Sequence, residues 1–264
     1  MTDYNKILFE KSGEVATVTF NNPKLCNAMD GEMLIELIDV CHRLEWDTDT
    51  RFAIFTGAAK GFMAGVDLKS EAMSRKGDPI SARLKQRQGQ ELMKRMRGLE
   101  QITVAAVNGS CLGAGIALAI ACDLRIASQD AIWGLPNVGL GYFFSWASTP
   151  LLVGLVGPAK AKELVLTCDR ISSDEALSIG LVNKVVPPEQ LMDVTYHMVD
   201  RIAANGPLAV RMAKKIANAA ATSYFGDISV CEPELVERLY LSTEPVEGTN
   251  AFFEKRKPRF RHLQ

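Results

Sequence analysis

Residues 104–128 read VAAVNGSCLGAGIALAIACDLRIAS. The stretch opens with an apolar run over 104–107 that has the length of a buried strand. Asn108 and Gly109 interrupt it, and Gly113-Ala114-Gly115 follows at once. Residues 116–122 are then wholly apolar, and after Asp123 the apolar character returns, broken only by Arg125. This order predicts strand, glycine turn, buried helix, strand. Glycine at 113 and 115 has no Cβ, so backbone can pass close to another group there. A helix that starts at such a turn points free N–H groups outward. A tight turn feeding a core helix has the same signature, so the pattern upstream has to decide between the two.

Outward from this stretch, short strands alternate with helices. Residues 7–10 and 15–20 predict a hairpin about Ser12-Gly13, and 29–44 a helix with Asp30 near its start. Residues 52–56 form a further strand, 58–65 a loop, and Asp67 begins a helix that Gly77-Asp78-Pro79 breaks. Residues 80–99 are helical and rich in solvated basic side chains. Residues 146–156 and 159–167 predict helices on either side of Gly157-Pro158, and 173–178 a short helix capped by Ser172 or Ser173. A strand over 182–186 precedes helices at 190–205, 208–222, 233–241 and 246–254. The expected architecture is α/β, with a core over residues 1–195 and a helical region over 196–264 that packs on the core or on a second subunit.

Composition narrows the function. The 264 residues are 47% hydrophobic with a net charge of −1. That suffices for a large core and gives no general attraction for nucleic acid or an anionic membrane. The six cysteines are scattered without a C-x-x-C pair, as expected of reduced thiols in a cytoplasmic protein. No apolar run reaches the roughly 18 residues that a membrane helix needs. Three histidines far apart in sequence make a histidine-based metal site improbable, and no metal is expected.

Several motifs, in a fixed order, carry a resemblance. They are Asn22-Pro23-Lys24 through Asn27-Ala28, then Phe62-Met63-Ala64-Gly65-Val66-Asp67-Leu68, and Val107-Asn108-Gly109 through Gly113-Ala114-Gly115. Cys122-Asp123-Leu124-Arg125-Ile126-Ala127, Gly180-Leu181-Val182-Asn183 and the tail from Ala251 to Pro258 complete the set. In this order the chain resembles the enoyl-CoA hydratase/isomerase (crotonase) superfamily along essentially its whole length. The resemblance implies a spiral of βαβ units with C-terminal helices, assembled as homo-trimers or hexamers. It implies an acyl-CoA thioester as ligand and no cofactor beyond the CoA moiety. By position, the backbone N–H groups of Val66 and Ala114 would grip the thioester oxygen. Two fixed donors stabilise the negative charge that develops there, each typically contributing ~3 kcal/mol of barrier. Lys24, Leu25, Ala64, Asp67 and Leu68 would lie along the CoA, and Lys255 would reach a phosphate.

The same resemblance exposes a departure. Hydratases of the superfamily use two glutamates about the β-carbon, one to activate water and one to deliver a proton. Here those places fall on Ala117 and Asn137. Other members place an aspartate in the next loop, but residues 142–148, YFFSWAS, hold no acid, and the position falls near Ser145. The aromatic bulk implies a narrowed acyl pocket. Asn137, Tyr142 and Ser145 remain as side chains able to orient a water, a substrate carboxylate or a proton. Glu71 and Arg75 are further candidates for folding over the pocket, although surface charge is the simpler reading of both. The expectation is an acyl-CoA lyase, isomerase or hydrolase that does not run two-glutamate hydration. The alternative is a catalytically inactive acyl-CoA-binding protein.

Overall fold

The computed structural model describes residues 4–70, 79–222 and 231–260. Strands β1 (Ile7–Ser12) and β2 (Val15–Phe20) form an antiparallel hairpin that turns at Gly13, whose φ is +58°. Alternation along β2 buries Ala16, Val18 and Phe20. Helix α1 (Gly31–Glu45) opens where Asp30 Oδ1 accepts from the Met33 N–H at 2.9 Å. It turns Met33, Leu37, Val40 and Leu44 inward.

From there the chain climbs in a spiral, laying strands alternately in two sheets. β3 (Phe52–Gly57) enters the first sheet and β4 (Gly61–Met63) the second. Helix α2 (Pro79–Gly98) leads to β5 (Ile102–Val107) in the first and β6 (Ser110–Leu112) in the second. Helix α3 (Ala114–Ala121) leads to β7 (Leu124–Ser128) and β8 (Ile132–Gly134) in the same alternation. After α4 (Thr149–Thr167) come β9 (Arg170–Ser172), α5 (Ser173–Ser178) and β10 (Lys184–Val186). The larger sheet has the order β1-β2-β3-β5-β7-β10 and is parallel from β2 onward. The smaller has the order β4-β6-β8-β9, with β9 antiparallel.

At the centre of the larger sheet both faces are buried, so β3 and β5 are buried along their whole length and almost wholly apolar. Ala53, Phe55, Ala105 and Val107 face α1 and α3 in the main core. Phe52, Ile54, Val104 and Ala106 point the other way, onto Leu191 and Val199 of α6 (Leu191–Ala203). The boundary expected at residue 195 therefore falls inside a helix that packs on the sheet. Helix α7 (Pro207–Thr222) is tied to the same sheet by the half-buried Lys214, whose ammonium lies 2.7 Å from Asp123 Oδ2 and donates to the Gln101 carbonyl at 2.7 Å. Helices α8 (Glu232–Tyr240) and α9 (Glu244–Phe253) complete the chain.

The spiral of βαβ units with C-terminal helices agrees with the sequence reading. Three details differ. β4, β6 and β9 have three residues each, too few to show an alternation. The helix expected from 146 starts only at Thr149, because Trp146 and Ala147 have φ of 62° and 54°. The helix expected from Asp67 is a turn as far as Ser70, and Glu71 and Arg75 lie outside the described residues. None of the six cysteines forms a disulfide. Burial pushes the Cys111 thiol up, and that of Cys122 to about 12. Among the described residues no helix is long and apolar enough to cross a membrane, and no group of His, Cys, Asp or Glu could hold a metal.

Candidate functional site

The two glycine-bearing segments meet at a cavity of about 770 Å³. Gly65, at φ +104°, follows β4, and Gly113, at φ +50°, precedes α3. A Cβ on Gly65 would sit 3.4 Å from the Leu112 carbonyl oxygen and 4.0 Å from the Ala114 nitrogen, so the segments touch through backbone. Gly115 serves a different purpose. A Cβ there would lie 2.4 Å from the Met63 carbonyl oxygen, so this glycine lets α3 pack against β4 rather than against a ligand.

On either side of Val66, hydrogen bonds to Met29 are in place. The Met29 N–H donates to Gly65 O, and the Asp67 N–H to Met29 O, both at 2.8 Å. Among the described residues, neither the Val66 N–H nor the Ala114 N–H donates to a protein acceptor. Both residues line the cavity, and Ala114 opens α3, where free N–H groups and the helix dipole favour negative charge.

Asn137 borders the same space. Its Oδ1 is buried, makes no hydrogen bond among the described residues, and stands 3.7 Å from where a Gly113 Cβ would be. Ala117, one turn into α3, contributes a methyl group to the wall. Tyr142 and Ser145 line the cavity, and the Tyr142 ring meets Tyr240 of α8 edge-on at 6.0 Å. Leu25, Ala64, Asp67 and Leu68 also face it, whereas Lys24 and Lys255 do not. The cations that line it among the described residues are Lys69 and Arg170, which the sequence reading passed over. Lys69 Nζ stands 4.8 Å from the centre of the Phe253 ring.

Among the described residues four carboxylates line the cavity, those of Asp30, Asp67, Glu232 and Glu237, and the first three accept hydrogen bonds from protein donors. Burial tends to raise the Asp30 carboxyl, but the Met33 N–H and the Lys6 ammonium outweigh it and hold the group below the usual carboxylate range. Asp67 Oδ1 accepts from the Lys69 N–H at 2.9 Å. Glu232 is a buried wall residue that the sequence did not single out, since an acid in the first turn of a helix reads as a solvated partner of the helix dipole. Its Oε2 accepts from the Ala147 N–H and from Gln90. These groups come from distant segments, and no local spacing announces the cluster.

Comparison with known proteins gives the family. A sequence model of the family described as Enoyl-CoA hydratase/isomerase matches residues 10–263. The chain is 37% identical to the short-chain-enoyl-CoA hydratase of Clostridium acetobutylicum, over 97% of each chain. It is 37% identical to the crotonyl-CoA hydratase of Syntrophomonas wolfei, over 97% of this chain and 98% of that one. An enoyl-CoA hydratase/isomerase structure from Xanthobacter autotrophicus superposes with a TM-score of 0.84 at 33% identity, covering 96% of this chain and 93% of that chain. The chain belongs to the enoyl-CoA hydratase/isomerase family and, with it, to the enzymes that process acyl-CoA thioesters.

Proposed function

We propose that the chain stabilises a thioester enolate between the N–H groups of Val66 and Ala114, and that it runs a reaction other than two-glutamate hydration. One observation carries this reading. Ala117 and Asn137, where the resemblance sets the two hydratase glutamates, both border the cavity beside those N–H groups. A methyl group and an amide exchange no proton near neutral pH, so neither place supplies the base or the acid of two-glutamate water addition. The relatives named for hydration share the fold and a little over a third of the residues, which leaves room for a different reaction.

Decarboxylation asks least of the side chains present. In an acyl-CoA carrying a carboxylate on its α-carbon, the bond to the carboxylate breaks and CO2 leaves. The electron pair enters the enolate, whose oxygen the two N–H groups hold. A proton from water then completes the α-carbon. The Asn137 amide and the Tyr142 hydroxyl are suited to orienting the departing carboxylate, and Ser145 to ordering the water. The CoA would run along Leu25, Ala64, Asp67 and Leu68, with Lys24, Lys255 and Lys69 available to phosphates. A cytoplasmic homo-trimer or hexamer goes with this reading. The same replacements at Ala117 and Asn137 favour one other reading, an acyl-CoA-binding protein without turnover.

The test is incubation with crotonyl-CoA, a 3-enoyl-CoA and 2-carboxyacyl-CoAs, followed by mass spectrometry of each ester. Loss of CO2 from a 2-carboxy ester, with crotonyl-CoA returned unhydrated, is the expected result. Rapid water addition to crotonyl-CoA contradicts the proposal. Tight binding with every ester returned intact favours the carrier.

A further inference from the structure

Glu232 joins three separate segments. Its Oε2 accepts from the Ala147 N–H at 2.7 Å and from Gln90 Nε2 at 3.0 Å, so one carboxylate links α8, α2 and the loop before α4. That loop needs a tie. Trp146 and Ala147 are consecutive residues with side chains in the left-handed region, a conformation that a Cβ disfavours and that persists only where its surroundings impose it.

The turn has a consequence for the cavity. It lays the Trp146 indole directly on the backbone of α2, at Gly89. A Cβ at position 89 would lie 2.2 Å from the indole Cε2 and Nε1, so only glycine admits the ring there. Trp146, Phe143, Phe144 and Gly89 all contribute apolar surface to the wall. Such a wall offers nothing to the phosphates of CoA and much to an acyl chain.

We propose that Glu232 is a positioning residue that fixes the acyl-chain limit of the site. By holding the Trp146–Ala147 turn it keeps the indole against Gly89, where the ring closes the acyl compartment and restricts it to a compact acyl group. The inference rests on the acyl-CoA reading of the cavity.

The test measures calorimetric affinities for a saturated series (acetyl-, butyryl-, hexanoyl- and octanoyl-CoA) with the wild-type protein, Glu232→Gln, Glu232→Ala and Trp146→Ala. Saturated esters offer neither a double bond nor a second carboxylate, so they act as ligands alone. The wild-type protein should bind the short esters and lose affinity along the series. Glu232→Ala and Trp146→Ala should each raise affinity for octanoyl-CoA relative to butyryl-CoA by about tenfold, the size of effect that methylenes have in an apolar pocket. Glu232→Gln should keep the wild-type profile, because its carbonyl oxygen in the place of Oε2 can still accept from both Ala147 and Gln90. A purely structural Glu232 would lower the melting temperature and leave the profile unchanged, which overturns the inference, as does an unchanged profile in Trp146→Ala. Loss of turnover in Glu232→Gln with the wild-type profile intact also overturns it, by making the carboxylate a proton carrier. Binding of no CoA ester by the wild-type protein overturns the acyl-CoA reading as well.

Discussion

Proline is tolerated at the first position of a helix, where its missing N–H is unneeded and its fixed φ already suits the turn. Ala114 holds that position in α3. Ala114→Pro therefore removes a proposed oxyanion donor from a folded chain, and should lower turnover of whichever ester is processed by about 10²-fold or more. Steady-state kinetics beside a melting curve checks this, and unimpaired turnover would remove Ala114 from the chemistry. Asp47 offers a test of stability at the same scale. The Lys11 ammonium, 2.8 Å away, is the main influence holding its carboxyl well below the usual range; burial opposes this, and the Thr50 hydroxyl and N–H assist. A carboxyl with a depressed folded pKa stabilises the fold above its ordinary pKa of about 3.9, and that contribution is lost progressively as pH falls from there through the lower folded value. Asp47→Asn should lower the melting temperature at neutral pH by about 2–4 °C and flatten its decline under acid. A parallel acid limb in the variant would contradict the assignment. Single residues were unevenly legible in the sequence. Ala117 and Asn137 stood out because a resemblance says what belongs there. Glu232 did not, since its partners lie 85 and 142 positions away.

Among the elements, α3 shows what glycine does for packing. Gly115→Ala forces a methyl group to within 2.4 Å of the Met63 carbonyl oxygen, and rigid backbone on both sides leaves no easy relief. The substitution should destabilise by about 1–3 kcal/mol and weaken acyl-CoA binding together, because the displaced strand carries Gly65 and Val66. An unchanged melting temperature would show that α3 and β4 are less tightly joined than their backbones indicate. The long elements were readable from period alone, as in the inward row of α1 and the continuously apolar β3 and β5. The three-residue strands β4, β6 and β9 were not. Their pairing is set by the neighbouring strand in space, not by a local pattern. The start of α4 was misread for a related reason: the apolar run from Trp146 fits a helix, but the contacts of Trp146 with α2 and of Ala147 with Glu232 impose a left-handed turn.

At the scale of the molecule, the spiral explains why the two candidate donors meet. Each turn sends one strand to the larger sheet and the next to the smaller, so β4 and β6 become parallel neighbours. The chain ends that follow them, at Gly65-Val66 and Gly113-Ala114, emerge side by side at one edge. The helices α8 and α9 then supply Glu232, Tyr240 and Phe253 to the cavity wall. The most direct test of enolate stabilisation uses acetoacetyl-CoA, whose enolate has its own near-ultraviolet band. Added to the protein at neutral pH, the ester should show that band in proportion to the bound fraction, and Ala114→Pro should abolish it while calorimetry still records binding. Tight binding without the band, or an equal band in Ala114→Pro, would contradict the account.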